Sequence, residues 1–389
     1  MTTRYTLRAV AGKARRGTFR TRTTVFDTPQ FMPVGTRASV KGVDVARLAE
    51  CGASVMLVNT YHLWLRPGHE RIRKLGGIHR FTGWNGPILS DSGGFQVFSL
   101  KSIRTITEEG IEFRSHLDGS KQFLSPEKSI EVQQTLGVDI AMALDECPAS
   151  DLDYDAFRRS LDMTVRWAKR SLAARTDPEL CMFGITQGGC HRELRTSSAQ
   201  QIGEIPFDGY AIGGLSVGEP KTSMYEVLSY HPDQLPADHI RYLMGVGTPE
   251  DIVEAVSQGV DIFDCVMPTR SGRFGRVFVE GDPPFFNIKN SRYAEDPNPI
   301  DPTCGCFACR THSRAYIHHL FKVGEMLGPQ LASIHNLTHY LSLMSRIRGA
   351  IETDTFDALY AGIKARWRDL DLHTGSSGHE SPLAPSVQE

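Results

Sequence analysis

The sequence predicts an α/β fold: a (β/α)8 TIM barrel with a subdomain inserted near its carboxyl end. Between residues 31 and 265, eight short apolar runs alternate with longer amphipathic stretches. Near-continuous apolar strands of this kind indicate a parallel sheet buried on both faces. Eight such units over this length match a barrel, which typically needs ~250 residues. A doubly wound open sheet is the competing interpretation, because a strand count from sequence is easily wrong by one or two.

The elements follow in a regular order. The predicted strands are FMPV (31–34), VMLVN (55–59), PILSD (87–91), DIAMALD (139–145), CMFGITQ (181–187), GYAIGGL (209–215), RYLMGV (241–246) and VDIFD (260–264). Among the intervening helical stretches, 126–137 and 154–175 repeat apolar residues at three- and four-residue steps. We expect an N-terminal β-hairpin region (1–30), the barrel core (31–280), a Pro- and Cys-rich inserted subdomain (281–340), a helical region completing the barrel (341–372) and a disordered tail (373–389).

Composition and charge exclude several classes of protein. Apolar residues make up 40% and charged residues 23% of the 389, which excludes a mostly disordered chain. No apolar run approaches the roughly 20 residues that cross a bilayer, so we expect a cytoplasmic protein with no membrane partner. The net charge of -2 shows no overall attraction to polyanions. Locally, however, residues 265–350 hold ten Lys and Arg against six acids, and residues 1–23 hold seven against none.

Carboxylates follow several of the predicted strands. In a barrel the active site lies at the carboxyl ends of the strands, where Asp91, Asp145 and Asp264 converge. Carboxylates in a dry cleft repel one another, so one holds its proton near neutral pH while another stays ionised. That division suits a nucleophile acting at an acetal-like carbon beside an acid that protonates the leaving group. The alternative is that each aspartate caps the helix that follows it.

Glycines and an aromatic residue surround these carboxylates. In DSGGFQVFSL, two glycines let the backbone approach a ligand closely and Phe95 offers a flat face. QGG at 187–189 and GGL at 213–215 add an amide side chain and backbone groups at two further strand ends. Together they describe a slot for a flat, hydrogen-bonding heterocycle, although tight turns explain any single glycine pair as well.

Three cysteines within six residues suggest a metal site. CGCFAC at 304–309 and His335 form the pattern Cys-x-Cys-x2-Cys-x25-His. Thiolates of Cys304, Cys306 and Cys309 with the His335 imidazole would make a closed tetrahedral site for structural Zn²⁺. The inserted subdomain is therefore predicted to bind zinc. Rival fourth ligands are His312, His318, His319 and His339, and three unligated thiols are the remaining alternative.

Several motifs occur in order from about residue 20 to 365. They are DSGGFQVFSL, the DEC at 145–147, QGG at 187, GGLSVGE at 213–219, YLMGVGTPEDI at 242, FDCVMPTRSGR at 263–273 and the Cys3His cluster. Together they resemble the bacterial tRNA-guanine transglycosylases, or queuine tRNA-ribosyltransferases. The resemblance implies a pentosyltransferase of queuosine biosynthesis. It would exchange guanine at the first anticodon position of tRNAs with GUN anticodons (Asp, Asn, His, Tyr) for 7-aminomethyl-7-deazaguanine (preQ1), without cutting the RNA.

The resemblance also implies roles for individual residues. Asp264 would attack ribose C1′ to form a covalent intermediate, and Asp91 would act as the acid and then the base. The other implied contacts involve the base or the RNA: Asp145, Gln187, the Gly214 N–H and the Leu215 carbonyl to the base edge, Phe95 and Met244 around the ring, and Arg270 and Arg273 to the anticodon loop. A homodimer is implied as well.

The chain departs from the bacterial pattern at three positions. Phe95 stands where Tyr is usual, Ser216 where Ala is frequent, and Phe274 where Asn commonly follows the second arginine. Val217 stands where eukaryotic queuine enzymes have Gly, and Cys147 matches the bacterial choice; both favour preQ1 over queuine. A queuine-inserting homologue remains an alternative. A barrel glycoside hydrolase would explain the carboxylates but not the zinc cluster, and a zinc-bearing RNA-binding protein would have no use for Asp91 and Asp264.

Overall fold

The computed structural model describes residues 4–99, 104–150 and 152–374. Its strands are β1 (Tyr5–Ala11), β2 (Ala14–Arg20), β3 (Val25–Thr28), β4 (Gln30–Pro33), β5 (Met56–Val58), β6 (Ile88–Ser90), β7 (Arg104–Ile106), β8 (Ile111–Arg114), β9 (Lys121–Leu124), β10 (Ile140–Met142), β11 (Cys181–Thr186), β12 (Gly209–Ile212), β13 (Ile240–Leu243), β14 (Ile262–Cys265), β15 (Arg276–Phe278) and β16 (Phe285–Asn287). Its α-helices are α1 (Val45–Glu50), α2 (Thr60–Leu65), α3 (His69–Lys74), α4 (Gly77–Thr82), α5 (Gly94–Ser99), α6 (Pro126–Leu136), α7 (Tyr154–Ala173), α8 (Arg192–Gly203), α9 (Lys221–Leu228), α10 (Pro249–Ser257), α11 (Met267–Arg273), α12 (Phe307–Thr311), α13 (Arg314–Val323), α14 (Leu327–Glu352) and α15 (Phe356–Thr374).

Eight parallel strands form the central barrel. In chain order β4, β5, β6, β10, β11, β12, β13 and β14 each neighbour the next, and β14 pairs back onto β4. A parallel bridge between Val34 and Leu57 joins β4 to β5, with the Gly35 N–H donating to the Leu57 carbonyl over 2.7 Å. Each of the eight apolar runs overlaps one of these strands. The barrel prediction is confirmed, and the doubly wound sheet is excluded because its strand order would reverse at a switch point.

Local sequence signals explain where the predicted helices begin and end. The Ser125 hydroxyl accepts the Lys128 N–H at the start of α6, Pro126 occupies its first turn, and Gly137 ends it with φ +82°. A residue with a side chain would be strained at that angle. At the start of α7 the Asp153 carboxylate accepts the Ala156 N–H. Both helices lie within the ranges predicted from apolar spacing.

The N-terminal region is a three-stranded antiparallel sheet in which β2 pairs with both β1 and β3, so it holds one strand more than a hairpin. Phe19 and Phe26 of this sheet pack into the barrel interior. Several of its basic side chains are neutralised by acids, as in the buried pair of Arg15 with Asp261 at 3.0 Å. Asp261 directly precedes β14, so the sheet covers the end of the barrel opposite the strand carboxyl ends.

A second small sheet, β7–β9, lies between α5 and α6, where the sequence analysis assigned no strands. Its Ile111, Phe113 and Leu124 are buried in a cluster with Val97 and Trp167. The loop between β8 and β9 extends to the carboxyl end of β5, where the Tyr61 hydroxyl lies 2.7 Å from His116 Nδ1. The insertion therefore borders the mouth of the barrel.

The cysteine-rich region has its own buried cluster. Val277, Ile288, Ile300 and Ile317 form its centre, together with Leu331 from α14. The predicted boundary at 340/341 falls inside α14, which runs unbroken from this region onto the barrel. The predicted tail, 373–389, lies outside the described residues apart from its first two, which end α15. The division into domains otherwise stays a prediction.

Within the described ranges, every helix is too short or too polar to span a membrane.

Candidate active site and metal centre

Asp91 follows β6 directly and is surrounded by donors. Its carboxylate accepts hydrogen bonds from the Thr60 N–H (2.9 Å), Gln96 Nε2 (2.8 Å), the Gly93 N–H (3.2 Å) and Asn59 Nδ2. Burial outweighs these donors and raises the pKa of Asp91 to about 6. A carboxyl group that titrates there can both give and take a proton near neutral pH, as an acid/base residue must.

Asp264 lies in β14 and is held by two donors. The Tyr242 hydroxyl donates to its Oδ1 over 2.6 Å, and the Gly245 N–H donates to the same atom over 2.8 Å. Burial raises the pKa of Asp264, while both hydrogen bonds act in the opposite direction. Burial, and after it the charge of Asp264, raises the pKa of Tyr242 well above its ordinary range. The phenol therefore keeps its proton and remains a donor.

The three strand-end carboxylates share one pocket. The charge of Asp91 contributes, after burial, to the raised pKa values of both Tyr242 and Asp145. Burial is the main cause that raises the pKa of Asp145, to about 6. Asp91 and Asp264 thus lie near the same phenol, and Asp145 lies close enough to Asp91 to sense its charge. The barrel brings these predicted residues together as expected at the strand carboxyl ends.

Gln187 and Asp145 form one hydrogen-bonded unit. Gln187 Nε2 donates to Asp145 Oδ2 over 2.7 Å, and its backbone N–H donates to Ser198 Oγ over 2.9 Å. An amide carries two N–H groups, and the Gln187 side chain also lies close enough to the Cys147 thiol to lower its pKa through a hydrogen bond, against the larger effect of burial. Gln187 Oε1 would lie 2.2 Å from a Cβ at position 214, and that contact together with a φ of +64° explains glycine at 214.

Glu219 stabilises the loop after β12 by hydrogen bonds to backbone groups of the same loop. Its carboxylate accepts the Ser216 N–H and, over 3.0 Å, the Val217 N–H. Ser216 has a φ of +59°, an uncommon angle for a residue with a side chain. In a trans peptide the N–H and C=O point in opposite directions, so the carbonyl of Leu215 points away from Glu219.

A fully buried arginine joins the two glycine turns. Arg195 of α8 donates from Nε to the Gly189 carbonyl over 2.6 Å and from an Nη to the Gly214 carbonyl over 3.3 Å. Among the described residues no carboxylate lies within 4 Å of its guanidinium. Burial lowers the pKa of Arg195 to about 10, so it remains charged at neutral pH. Arg195 was not singled out from sequence, because an arginine in an amphipathic helix is ordinarily assigned to the exposed face.

The remaining pocket residues differ in exposure. Phe95 on α5 is 45% exposed, and Met244, after β13, is half-buried against the barrel interior. Cys147 is half-buried, and burial raises the pKa of its thiol to about 12, so the thiol stays neutral. A ring held between Phe95 and Met244 stays a prediction.

Arg270 and Arg273 lie on α11, which begins two residues after β14 ends. Both are half-buried, and within the described parts of the chain neither guanidinium has a carboxylate within 4 Å. Burial, and after it the charge of Arg270, lowers the pKa of Arg273. The opposite face of α11 packs tightly on α14: a Cβ at Gly272 would lie 2.8 Å from the Ser333 backbone nitrogen. This packing fixes α11 and its two arginines directly after the strand that carries Asp264.

Cys304, Cys306, Cys309 and His335 form one group whose ligand atoms all lie within 4.8 Å of one another. His335 Nδ1 is 3.3 Å from Cys309 Sγ and 3.7 Å from Cys306 Sγ. Its Nε2 lies 2.6 Å from the Phe278 carbonyl, which fixes that nitrogen as the donor and leaves Nδ1 facing the sulfurs. This donor set fits a metal ion.

The rival histidines lie outside that group. His318 Nδ1 is 2.8 Å from the Ile288 carbonyl, and His339 Nδ1 is 3.7 Å from a Glu280 oxygen. His312 stacks on Tyr316 with 5.0 Å between ring centroids, and His319 is exposed.

A sequence model described as queuine tRNA-ribosyltransferase matches residues 11–369. The chain belongs to the queuine tRNA-ribosyltransferase family. Among its relatives of that name, one from Pseudomonas aeruginosa (strain LESB58) is 53% identical over 361 residues, covering 92% of this chain and 96% of its own length. One from Caldanaerobacter subterraneus subsp. tengcongensis is 52% identical over 343 residues, covering 88% and 91% respectively. One from Symbiobacterium thermophilum is 50% identical over 388 residues, covering 97% and 96%. The resemblance drawn from the motifs is therefore confirmed.

Several residues that position the site of this queuine tRNA-ribosyltransferase family member were not singled out from sequence. Thr60 and Gln96 hold Asp91, and Tyr242 holds Asp264. Tyr242 lies within an apolar strand, where an aromatic residue is ordinarily assigned to the core. The available signal was its position two residues before Met244, at the carboxyl end of β13 and beside β14.

Proposed function

We propose that this chain exchanges guanine at the first anticodon position of tRNA for preQ1 by double displacement. The observation that carries this proposal is the pair of buried aspartates at the barrel mouth, each held by its own donors. Ionised Asp264 attacks ribose C1′, and the N-glycosidic bond breaks as Asp91 gives its proton to the departing guanine. preQ1 then loses a ring proton to Asp91, and that nitrogen attacks C1′ and releases Asp264. One glycosidic bond replaces another, so no ATP is required.

Base recognition falls to the residues around Asp145. The guanine edge presents two parallel donors, the ring N–H and the exocyclic amine, which suit the two oxygens of the Asp145 carboxylate. The Gln187 amide and the Gly214 N–H donate to the base carbonyl. The Leu215 carbonyl, which points away from Glu219, accepts the aminomethyl group of preQ1. Phe95 and Met244 bracket the ring.

preQ1 is favoured over queuine by two neighbours of this pocket. Val217 is branched, so it restricts the space that the bulky cyclopentenediol of queuine would occupy. Cys147, a small neutral thiol beside Asp145, matches the residue that bacterial family members carry at this position. A comparison of preQ1, preQ0 and queuine on a tRNA with a U-G-U anticodon sequence tests this choice. We expect preQ1 to be preferred and Val217→Gly to gain activity with queuine; wild-type turnover of queuine at the preQ1 rate would favour the queuine-inserting alternative.

The RNA substrate is the anticodon loop of tRNAs with GUN anticodons. Chemistry on a base requires that the base leave its stack, which costs least in an unpaired loop. Arg270 and Arg273 have no carboxylate partner among the described residues and lie just after Asp264, so they can bind the phosphates and bases flanking the reacting nucleotide.

The metal we propose is one structural Zn²⁺ per subunit, held by Cys304, Cys306, Cys309 and His335. Four protein ligands leave no open coordination position for water or substrate. The ion would therefore stabilise the region that carries α14. Elemental analysis of the purified protein tests the assignment, and a protein without zinc would refute it.

We also propose a cytoplasmic homodimer, as the family resemblance implies. Val323, Met326 and Leu327 are exposed apolar side chains between α13 and α14, and burial against a second copy would remove them from water. Light scattering of the free protein tests the dimer, and a monomer at micromolar concentration would contradict it.

The reaction itself is tested with tRNA and radiolabelled guanine. We expect wild-type protein to incorporate label and Asp264→Asn to incorporate none. Asp91→Asn should bind tRNA but lose exchange. Asp238→Asn is a matched control, since this aspartate is 66% exposed and precedes β13 at the opposite end of the barrel. Guanine exchange at the wild-type rate by Asp264→Asn would refute the assignment of Asp264 as the nucleophile. Absence of label from tRNA treated with wild-type protein would overturn the proposed function.

A further inference from the structure

Four residues lie on one face of α11, the helix that follows the strand carrying Asp264. Val266, Arg270 and Phe274 are spaced four apart, so they lie along one side of the helix, and Arg273 lies beside them. Phe274 is 65% exposed and Val266 46% exposed. The buried side of the helix packs on α14 through Gly272. We call Val266, Arg270, Arg273 and Phe274 the α11 stripe.

Phe274 is held in place by its backbone, whereas its ring is left in solvent. Its N–H closes the end of α11 on the Arg270 carbonyl over 3.2 Å. Among the described residues, no aromatic ring or cation stacks on the Phe274 ring. A single exposed apolar residue is ordinary and would carry no argument alone. Here, however, the ring shares the end of α11 with two arginines whose guanidinium groups have no carboxylate within 4 Å in the described parts of the chain.

A flat apolar face next to unpaired cations is the composition of sites for single-stranded nucleic acid. Bases stack on the aromatic ring, while arginines bind the phosphates or stack on the next base. A protein partner of acidic character would satisfy the arginines but would give the exposed phenylalanine no specific role. The α11 stripe therefore fits unpaired RNA better than it fits an acidic protein surface.

We infer that Phe274 stacks on an unpaired base that neighbours the modified nucleotide, while Arg270 and Arg273 hold the intervening backbone. The inference rests on the proposed function and names a further contact to the same RNA. Asp264 lies in β14 before α11 begins and Phe274 follows the seven residues of this helix, whose rise of ~1.5 Å per residue separates its two ends by about 10 Å. That separation excludes the reacting base and suits a neighbour in the loop.

Stacking of this kind depends little on the identity of the base, because every base has a flat face. Phe274 would therefore increase affinity for any suitably unpaired loop without selecting among tRNAs. The selection among anticodons would be left to contacts with base edges. The predicted signature is a change in RNA affinity that leaves the affinity for the free base unchanged.

Three variants test the stacking contact by fluorescence anisotropy with an anticodon stem-loop. Phe274→Ala should weaken RNA binding about tenfold, as expected for the loss of one stacked base. Phe274→Trp should keep wild-type affinity. Phe81→Ala is the matched control, because Phe81 is 41% exposed on α4, near the amino-terminal end of β10. The KM for guanine should be unchanged in all three; a Phe274→Ala variant that binds RNA as tightly as wild-type would overturn the inference.

A second experiment identifies the stacked base. Each unpaired nucleotide of the stem-loop is made abasic in turn and bound to wild-type and Phe274→Ala protein. At one position the abasic change should weaken wild-type binding yet have no further effect on the variant. Additive losses at every position would refute the contact. Because this readout is binding alone, it separates the inference from the proposed function, whose failure would appear as a lack of guanine exchange in wild-type protein.

Discussion

The Tyr242 hydroxyl and the Asp264 carboxylate, on neighbouring strands of the barrel, are joined by a hydrogen bond of 2.6 Å. The phenol is fully buried and keeps its proton, so it acts only as a donor to the carboxylate. A hydrogen bond to an ionised group stabilises that ionised form, against the burial that raises the pKa of Asp264. Tyr242 is thus a positioning residue that keeps the proposed nucleophile ionised and oriented.

Replacing Tyr242 with Phe should raise the pKa of Asp264 further and slow formation of the covalent intermediate. Hydrogen bonds to charged groups contribute about 1.5–3 kcal/mol, so we expect roughly a tenfold loss of kcat or more. The acidic limb of the kcat profile should move to higher pH, with the KM for tRNA nearly unchanged. Single-turnover trapping of the protein–RNA adduct across pH measures both effects. If the acidic limb of the kcat–pH profile stayed at the wild-type position, the phenol would have only a packing role.

The affinity for preQ1 should fall as pH falls through 6. Burial raises the pKa of Asp145 to about 6, and below that value its carboxyl group is protonated and no longer offers two acceptor oxygens. Each unit below pH 6 should then weaken binding about tenfold. Calorimetric titration of preQ1 between pH 5 and 8 measures this. Asp145→Asn should bind weakly with a flat profile; a steep profile retained in this variant would assign the titration elsewhere, with Asp91 the next candidate.

The raised pKa of Asp145 also makes the free energy of unfolding depend on pH. A carboxyl group whose folded pKa exceeds its ordinary 3.8 contributes stability below 3.8, and this contribution is lost as pH rises through about 6. Asp145→Asn should therefore gain resistance to urea, relative to wild-type, on going from pH 5 to pH 8. Denaturation curves at the two pH values measure the difference, and a relative stability that fell over this range would contradict the sign.

Removing the guanidinium of Arg195 should loosen both glycine turns of the base pocket. In Arg195→Met the carbonyls of Gly189 and Gly214 lose a charged donor, and unpaired buried groups cost about 1–3 kcal/mol each. We expect weaker preQ1 binding with tRNA affinity nearly unchanged. Arg195→Lys, which can reach one carbonyl, should recover part of the loss. Equal loss of base and RNA binding in both variants would indicate general misfolding instead.

Loss of the proposed zinc ion should affect RNA binding before it affects the barrel. His335 shares α14 with the residues that pack on α11, so releasing the metal ligands frees the helix that supports Arg270 and Arg273. A chelator should unfold the region around residues 281–340 and weaken stem-loop binding. His335→Ala should lose zinc and lower the Tm, whereas His319→Ala, at an exposed rival histidine, should keep both. Full zinc content in His335→Ala would assign the fourth ligand elsewhere.

Much of the site could be predicted from sequence because the barrel obeys a simple rule. Parallel strands end on one face, so residues that follow apolar runs, such as Asp91 and Asp264, must meet there. Most of the metal site could also be predicted, because three of its four proposed ligands are cysteines that lie close together in sequence. The glycine turns and the family motifs are likewise contiguous stretches of chain.

Contacts between segments distant in sequence were decided only by the tertiary structure. The choice of His335 over four other histidines depends on where α14 packs, and the roles of Tyr242 and Arg195 depend on burial, which turns a phenol and a guanidinium into fixed donors. Residues 1–23 hold seven cations and no acid in the sequence, yet in the structure Arg15 is paired with Asp261 beneath the barrel. Residue order thus determined the fold and which carboxylates follow its strands, whereas burial and packing decided their pKa values, their hydrogen-bond partners and which cations lack a carboxylate partner among the described residues.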